Sequence, residues 1–221
     1  MMHRDQKLLE EAYEGILASS RDPLYFGPEE RQDSWIRWLL AHSGRKIHED
    51  GSVSIDRNVS IAGRELKQIP FKFKEIGGFF DCGDNELETL EGCPEIVRGS
   101  FNCSVNNLKD LRGGPKSVSG SFSCSHNSQL DSLEGAPEVI NGNFMCKRCN
   151  LSTLKHAPKI VKGDFECYGN NLVSLEGAPE DIQGSFNGTK FTNEDYEAFA
   201  KKRRFVNQNL DKDFDIDLGN F

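Results

Sequence analysis

A glycine followed two residues later by a phenylalanine occurs at six places one nearly fixed interval apart. The glycines are Gly78, Gly99, Gly120, Gly142, Gly163 and Gly184, spaced 21, 21, 22, 21 and 21 residues apart. The phenylalanines are Phe80, Phe101, Phe122, Phe144, Phe165 and Phe186, and in five copies a cysteine follows: Cys82, Cys103, Cys124, Cys146 and Cys167. Three residues further stands Asn85, Asn106, Asn127, Cys149 or Asn170. A leucine pair comes next, as in Leu108 and Leu111, and then a Gly-x-Pro turn such as Gly177-Ala178-Pro179. A period of this length restricts the chain to a stack of units, each burying a strip against its neighbours. The 22-residue copy holds its extra residue near Ser128-Gln129, where a loop absorbs it.

Within a unit the spacings prescribe a coil. Residues two apart on a strand point the same way, so phenylalanine and cysteine enter the core and the residue between them faces out. The asparagine turns the chain, with its amide bonding backbone groups that leave the strand. The leucines tuck back inside, and Gly-x-Pro bends the return. One period before Phe80, Val59 and Ile61 replace Phe and Cys, and Leu66 and Ile69 replace the leucines. The alternating Ser52-Val53-Ser54-Ile55 reads as a strand at the solenoid edge.

The Phe-x-Cys-x-x-Asn-x-Leu segment resembles the leucine-rich-repeat core, Leu-x-Leu-x-x-Asn/Cys-x-Leu, over residues 57 to 190. It is most similar to the shortest repeats of that kind, found in bacterial secreted effectors and in bacteriophage proteins. The Leu-Glu-Gly-Ala-Pro turn at 133–137 and 175–179 looks like the phage type. The resemblance implies an α/β-type leucine-rich-repeat solenoid with short parallel strands on one face and mostly irregular return segments. Effectors often add a ubiquitin-ligase domain with a catalytic cysteine. Only 37 residues follow Gly184, none of them cysteine, so that activity is not carried over.

Three regions are expected. Residues 1–46 read as a helical N-terminal cap: Leu8, Leu9, Ala12, Tyr13, Ile16 and Leu17 recur at helical spacing, and a second helix opens at Pro28. Residues 47–190 form the solenoid. Residues 191–221 hold a capping helix, opened by Thr192 with an acid at its third position, and a tail from Asp211 to Phe221 that alternates acids with apolar residues. The basic run Lys201-Lys202-Arg203-Arg204 suits a helix C-terminus.

The chemistry of the residues points away from catalysis. Cys146-Lys147-Arg148-Cys149 has the form of a redox or zinc pair, but no second pair accompanies it and both cysteines occupy repeat positions. Neither a Gly-x-Gly-x-x-Gly nor a P-loop is present. His126 and His156 fall at variable repeat positions. No enzyme activity, cofactor or metal is expected. Seven cysteines without an apolar leader suggest free thiols and a cytoplasmic setting, the host cytoplasm for a phage protein. A net charge of −8 argues against nucleic acid, and no run of 18 apolar residues predicts a membrane span.

The outward strand positions carry the functional expectation. Copies one to three mostly show small polar residues there: Asp81, Asn102 and Ser123, then Gly83, Ser104 and Ser125. Copies four and five show Met145, Lys147, Arg148, Glu166 and Tyr168. Large aromatic and cationic side chains concentrate binding energy. The reading is a non-enzymatic protein-binding solenoid, a phage-encoded inhibitor or adaptor of a host protein, binding through a concave sheet at these five residues. The alternative is a structural or oligomerising protein whose helical N-terminus makes the contacts.

Overall fold

The computed structural model describes residues 45–202, where the repeat becomes a solenoid with two short strands in each coil. Strands ahead of the corner glycine are β1 (Arg45–Ile47), β2 (Val53–Ile55), β4 (Phe73–Ile76), β6 (Ile96–Val97), β8 (Ser117–Val118), β10 (Val139–Ile140), β12 (Ile160–Val161) and β14 (Asp181–Ile182). They form an eight-stranded sheet in that order, parallel except for the β1–β2 hairpin. Strands after the glycine are β3 (Val59–Ser60), β5 (Phe80–Asp81), β7 (Phe101–Asn102), β9 (Phe122–Ser123), β11 (Phe144–Met145), β13 (Phe165–Glu166) and β15 (Phe186–Asn187), a second sheet of seven.

The single-faced arrangement expected from the sequence is thereby corrected. The supposed irregular return carries a sheet of its own, because each coil has a β-branched residue there, Val97, Val118, Ile140 or Val161, fully or almost fully buried. The glycine between the two strands is a packing requirement: a Cβ on Gly99 would lie 2.7 Å from the carbonyl carbon of Gly78 one coil below.

Register follows the period. Phe80, Phe101, Phe122, Phe144, Phe165 and Phe186 pair in succession, with ring centroids 5.0 to 6.0 Å apart, and all are buried. The cysteines run beside them as buried free thiols. Val59 and Ile61 stand where expected, opposite Phe80 and inside the core.

The asparagines bind successive coils together. Asn106 Nδ2 donates to the carbonyls of Cys82 at 3.0 Å and Cys103 at 3.1 Å, and its Oδ1 accepts from the Leu87 amide at 2.9 Å. Asn85, Asn127 and Asn170 repeat the pattern. Cys149 supplies only the donor half, Sγ to the Cys124 carbonyl at 3.4 Å. The amide left over, that of Leu130, turns back to the Asn127 carbonyl at 3.0 Å. The extra residue between Asn127 and Leu130 makes that turn possible, so the 22-residue copy and the Asn-to-Cys exchange compensate each other.

The two ends close differently. At the start, β1 folds back antiparallel outside β2, so the edge strand is β1 and not 52–55 as expected. Of the helical segment expected over 1–46, all but the first residues of β1 lie outside the described residues. At the far end a helix begins at 193 and is described to 202. Thr192 and Asp195 cap it reciprocally, with Asp195 accepting from the Thr192 amide at 2.8 Å and Thr192 Oγ1 from the Asp195 amide at 3.3 Å. Asn193 Oδ1 accepts from the Phe186 amide at 2.8 Å, replacing the carbonyl that a further coil would supply. Tyr196 continues the phenylalanine column, its ring 5.3 Å from that of Phe186 and within 5° of parallel, and its hydroxyl donates to the Pro179 carbonyl. Arg203, Arg204 and the tail from Asp211 to Phe221 lie outside the described residues.

Candidate protein-binding face

Outward residues of the second sheet form two different surfaces. In coils one to three the polar groups bond to one another along the stack. Asp81 accepts from the Gly83 amide at 3.0 Å and from Asn102 Nδ2 at 2.8 Å; Asn102 accepts from the Ser104 amide at 3.1 Å; Ser104 and Ser123 share a bond of 2.6 Å. Ser125 is buried and accepts from the Lys147 amide at 3.3 Å. This strip is internally satisfied and short in side-chain reach.

Coils four and five replace it with larger groups. Lys147 Nζ lies 2.7 Å from Glu166 Oε2, and both side chains are about one-fifth exposed, at 22% and 21%. The same ammonium sits 5.4 Å from the centre of the Tyr168 ring. Its hydrogen bond to Glu166 raises the Lys147 pKa above the ordinary lysine value. Met145 is half-buried and pairs with Glu166 across the strands. Tyr168 is 39% exposed. Three of the five expected site residues therefore touch, and the fourth adjoins them.

Arg148 stands apart from the strand. It occupies the position before the asparagine site, where Asp84, Val105, His126 and Gly169 also have positive φ, and its own φ is 50°. Its Cγ lies where a Cβ on Gly169 would come, at 2.8 Å, so the missing side chain of Gly169 makes room for it. Arg148 is exposed at the margin of the cluster.

The Cys146–Cys149 pair points inward. Both thiols are buried, and desolvation raises their pKa values, that of Cys149 to about 11. A thiol is reactive as its thiolate, so burial makes these cysteines inert. Among the described residues no group of three His, Cys, Asp or Glu side chains is placed to hold a metal ion, and no helix is long and apolar enough to cross a membrane. His156 proves to be a structural exception: it fills the glycine position of Gly-x-Pro, with φ of 65° where Gly135 and Gly177 have 99° and 82°.

One surface escaped the reading by motif. In β4 and just ahead of the later first-sheet strands, successive coils carry Lys74, Glu95, Lys116, Glu138, Lys159 and Glu180, all exposed and alternating in sign. Backbone bonds stack them, for example Glu95 N to Lys74 O at 3.0 Å and Lys116 N to Glu95 O at 2.9 Å. Across the Gly-x-Pro turn, Glu91, Arg112, Glu134, Lys155 and Glu176 alternate in phase with them. Lys159 and Glu138 pair at 2.9 Å, and Lys155 and Glu176 at 3.5 Å. Aligning the copies one above another exposes this alternation, whereas a search for catalytic spacings passes over it. Set against known proteins, the chain matches no family model, no curated protein and no solved structure.

Proposed function

We propose that the chain is a non-enzymatic binding solenoid that docks a protein partner on the second sheet at coils four and five. The observation that carries this reading is the Lys147–Glu166–Tyr168 cluster. It places large side chains, already ordered by an ion pair and a ring contact, where coils one to three need only serine, asparagine and aspartate. Pre-ordered side chains lose little freedom on association, which favours affinity. The asparagine ladder supports the leucine-rich-repeat resemblance. With that resemblance comes the finer proposal of a phage-encoded inhibitor or adaptor acting on a host protein in the host cytoplasm.

Capture of a partner by the full chain, followed by titration, tests the site. Tyr168→Ala with Lys147→Glu should weaken binding by at least about 2 kcal/mol, while Ser100→Ala with Ser121→Ala leaves it nearly unchanged. Loss of binding on deleting residues 1–44 from a still-folded solenoid would instead favour the reading in which the N-terminal segment makes the contacts.

A further inference from the structure

We propose that the first sheet and the adjoining Gly-x-Pro edge dock a second copy of this chain, the two solenoids lying antiparallel about a two-fold axis parallel to the strands. The second-sheet cluster takes no part in this contact. The inference rests on charge complementarity that the fold itself generates.

Alternation of sign along a stack has an immediate use within one chain, because each charge gains opposite neighbours about 4.8 Å away. It also has a consequence between chains. Reversing an alternating row of six brings every charge opposite its complement. Lys74 then faces Glu180, Glu95 faces Lys159, and Lys116 faces Glu138, with each pair occurring twice by symmetry. The row across the turn obeys the same rule: Glu91 comes opposite Lys155, and Arg112 opposite Glu134.

Between the charges three of the six outward strand positions are apolar, the others being Glu75, Ser117 and Asp181. Ile96 and Val139 are 38% and 41% exposed, and Ile160 is half-buried. The same rotation brings Ile96 against Ile160 of the copy. Two encounters are unfavourable, Arg98 facing Lys162 and Glu75 facing Asp181, and both are moderated because Arg98 and Glu75 already neutralise each other at 2.6 Å. Sheets facing one another pack about 10 Å apart, a gap that lysine and glutamate side chains span from both sides. An unrelated partner has no reason to match this alternation at one-coil spacing; a second copy matches it by construction. The strip is narrow, so the contact belongs with weak, reversible interfaces.

Sedimentation equilibrium of the full chain tests the proposal at about 0.1 M salt, where screening over about 10 Å spares close pairs and damps the repulsion of two acidic chains. The expected result is a reversible dimer that loosens in about 1 M salt. Lys116→Glu should weaken it at least about tenfold, since it sets like charges across the axis twice. Adding Glu138→Lys should restore it, because positions 116 and 138 again attract between copies although each now has a like-charged neighbour within its own chain. A purely intrachain role predicts no rescue. A monomer at all concentrations up to about 200 μM, a dimer indifferent to Lys116→Glu, or a double variant no tighter than the single would each overturn the proposal. None of these outcomes bears on the second-sheet cluster, which is read by partner capture.

Discussion

Coils two and three share an interior with coils four and five and part from them chiefly in coil four and on the outer face of the second sheet. Inside both pairs, phenylalanine stacks on phenylalanine and cysteine runs beside it, fully or almost fully buried. Beyond that shared column, the first pair keeps the asparagine, the turn glycine and a small hydrogen-bonded strip. Coil four breaks each of these rules, with Cys149 for asparagine, His156 for glycine and Lys147 for serine. Packing dictates the interior, so it cannot vary. The departures collect in coil four, two of them against what the fold prefers, and local rule-breaking of that kind is expected at functional sites.

Alkali gives the largest test of the shared interior. Desolvation raises the pKa values of Cys93, Cys103, Cys124, Cys146, Cys149 and Cys167, the last to about 12. Their folded pKa values exceed the unfolded ones, so their stabilising effect is complete below about pH 8.5 and is lost as pH rises. Each such thiol removes up to about 1.4 kcal/mol per pH unit in that window. The melting temperature should therefore fall steeply between about pH 9 and 11, and a flat profile would show that the thiols are not buried.

Phe122→Ala and Phe144→Ala come next, each costing about 3–5 kcal/mol in urea denaturation. Equal costs confirm one column through both halves, and a large inequality breaks it. Smaller again is the contrast between Asn127 and Cys149. Asn127→Ala strands the Leu108 amide and two carbonyls in the core and should cost about 3 kcal/mol, whereas Cys149→Ala removes weak thiol bonds and should cost about 1 kcal/mol. Equal costs for the two would contradict the compensation by the extra residue near Ser128-Gln129. The smallest effect runs the other way: His156→Gly relieves a left-handed residue and should stabilise by about 1 kcal/mol. Destabilisation there would mean that the imidazole makes an essential contact.

The column and the ladder were legible because the same residue types recur at the same positions. The first sheet was not, for two physical reasons. From β6 onward its strands are two residues long, too short for alternation to register, and its inward residue drifts between valine and isoleucine. Of the expected binding residues, Lys147, Glu166 and Tyr168 meet because strand spacing places them on one face. Arg148 falls at the margin because the left-handed turn that carries it leaves no mark in residue spacing. The charge rows hid in composition, since alternating signs cancel.

The most direct measurement makes coils four and five resemble two and three. In the triple variant Lys147→Ser, Glu166→Ser and Tyr168→Ser, unfolding free energy and partner capture are read on the same preparation. If the cluster serves binding, stability changes by less than about 1 kcal/mol, because both members of the ion pair leave together and no charge is stranded, and capture is lost. Loss of several kcal/mol, or capture at full strength from the triple variant, would contradict that claim.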